Sequence, residues 1–278
     1  MTAMSLNATH YASKDATTPS YAEYNVHNLY GHMHSRAVSR YWSGNTKNLR
    51  PFVLSRSTFP SSGMYAGHWL AKTQRTWASM RQTVAGIMNF NMFGIPFTGA
   101  DVCGYSGVKT LDEELCARWY QLSAYYPFAR SYYDSASVPT ELYNIKDAGY
   151  KQMATDAMWL RTSLLRYYYT EMAKVHMKGG MFVKPMFFKY PLDNLAHRDY
   201  EHTFLVGEAL KVSPVIDQDT SASRAVYFPA GTWVELTDFS RILTNRKEGY
   251  FFLPKNGANA HIREGSVLPW QDNSGRTL

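Results

Sequence analysis

The chain has 278 residues, 45% of them hydrophobic, enough for two ordinary domains or one barrel-sized unit with a buried core. No run approaches the eighteen or so apolar residues of a membrane helix, and residues 1–7 hold neither a basic nor an apolar region, so neither a membrane span nor a targeting signal is read. The formal charge of +7 is scattered, without a cluster of five or six basic residues, which argues against nucleic acid as a partner.

Residues 1–22 are rich in Ser, Thr and Ala without a hydrophobic period and read as an irregular segment, with an Asn7-Ala8-Thr9 sequon inside it. Residues 24–41 set aromatic and aliphatic positions three and four apart, which predicts a helix, and Arg50-Pro-Phe-Val-Leu-Ser-Arg56 reads as a short buried strand. Beyond the turn at Pro60-Ser-Ser-Gly63, residues 64–70 read as a second strand, residues 77–93 as a helix ending at Gly94-Ile-Pro96, and residues 97–101 as a third strand. Residues 113–126 form another amphipathic helix, stopped by Pro127. Residues 156–178 read as one long helix ended by Gly179-Gly180, and residues 181–190 as a fourth strand before Pro191.

Strands alternating with helices imply βαβ units, and Arg56, Lys72 and Asp101 fall just after strands, where barrel and open α/β enzymes place their sites. Past residue 203 the pattern becomes short strands between turns, at residues 225–229, 232–236 and 250–253, which predicts a separate small β domain. The expected division is an irregular segment (1–22), an α/β region (23–200) and a β domain (201–278). Cys103 and Cys116 either pair, closing a short loop worth on the order of 3 kcal/mol, or stay as buried free thiols. The 21 Tyr and 7 Trp supply flat amphipathic surfaces for cores, interfaces and sugar clefts alike.

Signatures of serine hydrolases, phosphate-binding loops, zinc peptidases and Cys-x-x-Cys sites are absent. His27, His32 and His34 lie close in sequence but lack an adjacent carboxylate or cysteine to complete a metal site, so packing or surface roles are expected. One resemblance spans nearly the whole chain. Tyr24-Asn-Val-His-Asn-Leu-Tyr-Gly31, Arg56-Ser-Thr-Phe-Pro-Ser-Ser-Gly63, Ala66-Gly-His-Trp-Leu70, Phe93-Gly-Ile-Pro96, Thr98-Gly-Ala-Asp-Val-Cys-Gly104 and Cys116-Ala-Arg-Trp119 follow one another in order. Tyr126-Pro-Phe-Ala-Arg130, Lys184-Pro-Met-Phe-Phe188 and Gly265-Ser-Val-Leu-Pro-Trp-Gln271 continue the series. Together they resemble the signature stretches of the α-glucosidases of glycoside hydrolase family 31.

The resemblance implies an α/β fold, the second half of a (β/α)8 TIM-type barrel with about its last four strands, followed by a small all-β sandwich domain. It implies a retaining mechanism with an Asp nucleophile and an Asp proton donor about 5 Å apart, an α-glucoside oligosaccharide as substrate, and no metal or organic cofactor. It also implies a Cys103–Cys116 disulfide and an ancestry in the secretory pathway, lysosome, vacuole or extracellular space. Arg56, Trp69 and Asp101 match residues that hold the terminal glucose. Tyr105 stands where the family usually has Phe, and Tyr132 where it has a sugar-binding His. From the residues alone, an Arg56–Asp101 ion pair and a core Trp69 are fair readings, and the resemblance favours sugar contacts.

Two departures concern the carboxylates. No counterpart of the nucleophile's Trp-x-Asp-Met-Asn motif is read before Tyr24. Gly67-His-Trp-Leu-Ala-Lys-Thr73 replaces Gly-His-Trp-Leu-Gly-Asp-Asn, which puts Lys72 at the position of the proton donor. An ammonium with an ordinary pKa near 10.4 is a poor donor at neutral pH, and its charge opposes an oxocarbenium-like centre. The chain is therefore expected to be an α-glucosidase relative that is inactive as written. The alternatives are a non-catalytic protein that binds carbohydrate or a partner, or a hydrolase completed by a complementary N-terminal half.

Overall fold

The computed structural model describes residues 5, 8–11, 17, 19–45, 50–106, 109–198, 202–218, 222–239, 242–245, 247–254 and 259–272. Asn7 of the sequon lies outside them. The chain falls into two compact units, Met1–His68 and Trp69–Leu278.

In the first unit, β1 (Thr9–Tyr11) and β2 (Pro19–Ala22) form an antiparallel pair with an irregular register between His10 and Tyr11, where the sequence read only an irregular segment. The pair is short and its ladder is backbone-made, so it leaves no hydrophobic period to read. The expected helix appears as α1 (Glu23–Val26), a 3-10 turn (His27–Leu29) and α2 (Tyr30–Asn45). Gly31 is required by packing: a Cβ there would lie 2.4 Å from the Cβ of Ser57. β3 (Leu54–Ser55) pairs in parallel with β4 (Gly67–Leu70) through Leu54–Gly67 and Ser55–His68. His27 bonds Glu23 at 2.7 Å and His32 bonds the Ser62 hydroxyl at 3.0 Å, so these histidines serve local packing. Burial and the Arg56 charge lower the His68 pKa to about 4, with a backbone bond at Ser55 opposing them.

The second unit opens on α3 (Trp77–Met92), whose N-terminus is capped by Thr76 accepting from the Ser79 N–H. Its buried face, Met80, Thr83, Val84, Ile87, Met88 and Asn91, follows the three-and-four spacing of the sequence. β5 (Thr98–Val102) is buried throughout and pairs in parallel with β6 (Phe128–Ser131), a strand the sequence reading missed. Gly99 permits that pairing, because a Cβ there would fall 1.6 Å from the Phe128 carbonyl oxygen. Between them, α4 (Glu113–Ser123) is capped by Asp112, and after β6 comes α5 (Ala148–Ser163), capped by Asp147.

The predicted long helix is broken. α5 ends at Ser163 and α6 (Leu165–Lys178) begins two residues later, with the Ser163 carbonyl accepting the Gln271 N–H at 2.9 Å. A group entering the helical ladder from outside is a recognised cause of such a break. The Arg161 guanidinium donates to the carbonyls of Ser123, Ala124, Tyr126 and Pro127, satisfying acceptors left over at the end of α4.

The expected strand over residues 181–190 is corrected to β7 (Val183–Pro185) followed by α7 (Met186–Lys189), and β7 runs antiparallel to a later strand. Asn91 fixes its start: the side-chain oxygen accepts the Phe182 and Val183 N–H groups at 2.9 and 3.0 Å. After α8 (Asn194–Arg198) come β8 (Phe204–Val206), β9 (Leu210–Val212), β10 (Ser223–Phe228), β11 (Gly231–Glu235), β12 (Ile242–Asn245), β13 (Gly249–Pro254) and β14 (Ala260–Arg263). One sheet has the order β12-β11-β14-β9-β8-β7, and β10 pairs antiparallel with β13. Val226, Phe228 and Leu253 from the pair pack with Trp233 from the larger sheet, closing a small β core.

Candidate functional site

β5 ends in a turn that no ordinary strand exit would make: Cys103 has φ 65° and Gly104 φ 76°. The loop after β4 also carries a left-handed residue, Lys72, at φ 57°. Backbone of this kind costs energy in non-glycine residues and collects at functional sites. The two loops are stitched together, with the Tyr105 N–H donating to the Thr73 carbonyl at 2.7 Å and the Arg75 N–H to the Ser106 carbonyl at 3.1 Å. A Cβ on Gly104 would lie 2.8 Å from the Gln74 carbonyl oxygen, so the close approach also demands glycine.

Asp101 sits at the centre of this arrangement and is 0% exposed. Its Oδ1 accepts from the Trp69 indole N–H at 2.9 Å and from Arg130 Nε at 3.1 Å, and its Oδ2 from the Lys72 backbone N–H at 3.2 Å. Burial pushes the carboxyl above its ordinary pKa, against the pull of these three donors. Arg130 therefore supplies the ion pair. It stands opposite Asp101 in the β5–β6 register, and its guanidinium lies 3.8 Å from the centre of the Trp69 ring and 4.1 Å from that of Tyr132. Tyr132 meets Trp69 edge-on at 5.8 Å and lies tilted against Tyr105 at 5.0 Å. The Lys72 Nζ lies 5.4 Å from the centre of the Tyr105 ring.

Five of the expected residues thus meet: Trp69, Lys72, Asp101, Tyr105 and Tyr132. Arg56 directly follows β3 in the first unit. Arg130 is the site member that sequence reasoning misses, although it closes the Tyr126-Pro-Phe-Ala-Arg130 stretch; the missing signal is β6 itself, which places it beside Asp101. Cys103 and Cys116 form a disulfide with 4.6 Å between Cα atoms, tying the β5 exit to the first turns of α4. Among the described residues no group of three or more His, Cys, Asp or Glu is arranged to hold a metal ion. None of the described helices is long and apolar enough to cross a membrane.

A profile of the glycosyl hydrolases family 31 TIM-barrel domain matches residues 2–171, and one of the family 31 C-terminal domain matches residues 179–268. The chain belongs to glycoside hydrolase family 31. Among family 31 relatives, the α-glucosidase of Hordeum vulgare is 40% identical over 257 residues, covering 91% of this chain and 28% of its own. The lysosomal α-glucosidase of Mus musculus is 36% identical over 269 residues, with 90% and 28% covered. A Tris-bound glucosidase II α subunit superposes with a TM-score of 0.81 at 26% identity, over 88% of this chain and 26% of that one. A family 31 dextranase of Flavobacterium johnsoniae complexed with glucose reaches a TM-score of 0.82 at 22% identity, over 91% of this chain and 32% of that one, and speaks for the fold alone. The chain spans less than a third of each of these proteins. Its parallel strands β3–β6 lie in the stretch matched by the TIM-barrel profile, as does the short β1–β2 pair, and the antiparallel sheets built from β7–β14 lie in the stretch matched by the C-terminal domain.

Proposed function

We propose that this chain is a carbohydrate-binding member of family 31 that recognises the end of an α-glucoside without cleaving it. The carrying observation is Lys72, whose main chain is held by Asp101 and whose ammonium stands beside Tyr105, at the position the family resemblance gives to the proton donor. A retaining glycosidase needs two carboxyls about 5 Å apart. Asp101 is poorly suited to take over the proton donor's role, because it is fully buried with both oxygens engaged. Binding asks less of the site. An exposed Lys, a half-buried Arg and three aromatic rings around a strand end are groups that hold a sugar by stacking and hydrogen bonds.

The test pairs turnover with binding. Incubated with 4-nitrophenyl α-glucoside or maltose, the chain is expected to release no product above buffer, while millimolar maltose or an amino-sugar inhibitor raises its melting temperature. Hydrolysis above background would overturn the inactive reading, and the absence of any ligand effect would overturn the binding one.

A second reading has its own observation. In the first unit Tyr30, Met33, Tyr41, Trp42 and Phe52 are exposed large side chains, which favours a covering partner such as a polypeptide carrying the remainder of the barrel. Co-elution of the two polypeptides on size exclusion would support it, and separate elution at micromolar concentration would count against it.

A further inference from the structure

We infer that this site selects a sugar bearing an anionic group, with Lys72 and Arg130 as its two cationic contacts. The inference rests on the sugar-binding reading and names the ligand class for the same site.

Among the described residues at the ends of β4, β5 and β6, Lys72 is an exposed cation without an ion pair. Asp101 is matched by Arg130, and the buried Arg75 faces the Asp134 charge. Lys72 is exposed, and no described residue bonds its ammonium or forms an ion pair with it. Its backbone is fixed by the bond to Asp101 and by the stitched loops, so the side chain projects from a defined base. Arg130 commits only Nε to Asp101, and its two terminal amino groups make no hydrogen bond with a described residue. Its side chain is 33% exposed, so those groups can be reached by a ligand.

The two cations flank one aromatic pair: Lys72 lies over Tyr105, Arg130 over Tyr132, and these rings are 5.0 Å apart. A neutral glucoside would leave both sets of donors facing only water. A carboxylate, sulfate or phosphate on the sugar would accept charge-assisted bonds from them, and Arg suits such planar or forked acceptors. The carboxylate expected at position 72 from the family motif would repel the same ligand, so Lys72 is the specificity-determining residue.

The test compares methyl α-glucuronide, glucose 6-phosphate, methyl α-glucoside and inorganic phosphate by ligand-observed NMR titration against the intact chain at low salt. The expected result is about tenfold tighter binding of the two anionic sugars than of the neutral one, the order expected for one or two charge-assisted contacts. That preference should weaken with added salt and collapse toward a ratio of one in Lys72→Gln, with circular dichroism showing the fold intact. Equal affinity for charged and neutral sugars, or a preference that survives Lys72→Gln, overturns the inference while leaving the sugar-binding reading in place. Inorganic phosphate binding as tightly as the anionic sugars overturns it too, because the site would then hold an anion and ignore the ring. No binding of any sugar overturns both.

Discussion

Lys72 and Lys211 each bring an ammonium to an aromatic ring, 5.4 Å from the centre of Tyr105 and 3.6 Å from that of Phe228, yet their settings are opposite. Lys211 lies on β9, is 0% exposed and donates to the Ser213 hydroxyl at 2.7 Å. It is the register partner of His261 on β14, which in turn is the partner of Glu235 on β11, so three buried polar residues form one row across the sheet. Lys72 stands exposed on a left-handed loop residue, and no described carboxylate forms an ion pair with its ammonium. The first cation is enclosed by its own fold, whereas the second is displayed by it. A buried charge survives only when its surroundings replace water, so the Lys211 row is structural, and a displayed charge on a fixed backbone is left for a ligand.

The largest effect expected from this contrast is at Lys211. Lys211→Ala removes a packed stem, leaves a cavity under Phe228 and leaves the Ser213 hydroxyl with only its Thr203 partner, at a cost on the order of 4 kcal/mol in urea unfolding. Lys211→Met, which keeps the volume, should stay within about 1.5 kcal/mol of the parent. If Lys211→Ala proved as mild as an exposed substitution, the enclosed half of the comparison would be wrong.

Next comes Arg130, which belongs partly to each class. Arg130→Ala leaves Asp101 buried and without its ion pair, for a loss of about 2 kcal/mol at pH 7. The sign with pH follows from the carboxyl. Burial already raises its pKa above the ordinary value, and losing Arg130 raises it further. The folded state of the variant then holds a proton that the unfolded chain has given up, so the penalty should shrink as pH falls toward the ordinary carboxylate range. Chemical unfolding of parent and variant at pH 7 and pH 4.5 measures this directly. A penalty that does not change with pH would mean the lost stability came from the stacked rings and not from Asp101.

His261 gives a smaller, graded effect on the enclosed side. Burial first, and then the Lys211 charge, lower its pKa from 6.5 to about 3. Between those values the unfolded chain takes up a proton that the folded one refuses, so stability falls as pH drops from 6.5 toward 3. The expected slope from this residue is about 1.4 kcal/mol per pH unit. His261→Gln should flatten the pH dependence by that amount between pH 4.5 and 6, and His68 contributes equally to both chains and cancels. An unchanged slope would show that the row is open to water.

Much of this was legible in the sequence, and the pattern of misses has physical causes. α3, β5 and α4 are legible from spacing and breakers because local signals bound each of them: Thr76 and Asp112 cap the two helices, and Gly94-Ile-Pro96 precedes the strand. The break between α5 and α6 was not, since it depends on Gln271, more than a hundred residues away. β7 was read as part of a longer strand: the pairing that ends it comes from β8, and the side chain that anchors it comes from Asn91. At the site, Trp69, Lys72, Asp101, Tyr105 and Tyr132 were marked through the family motifs, whereas Arg130 gains its role only from the β5–β6 register. Lys211 and His261 carried no signal at all, because an alternating strand gives no hint that an inward-facing position is charged.

The smallest expected effect is at Lys72 itself, and it separates backbone from side chain. At φ 57° a non-glycine residue carries roughly 1–2 kcal/mol of local strain, which Lys72→Gly relieves while adding about as much unfolded-state entropy as glycine usually brings. The net change in melting should therefore be slight, within about 0.5 kcal/mol of the parent, whereas Lys72→Val should lose about 1–2 kcal/mol, because a β-branched residue fits the left-handed region worst. The Gly variant keeps the main-chain N–H that Asp101 accepts. If it melts with the parent but loses the preference for anionic sugars, the ammonium alone carries that preference. If it melts far below the parent, the Lys72 stem supports the fold, and the displayed cation resembles the enclosed one more closely than its exposure suggests.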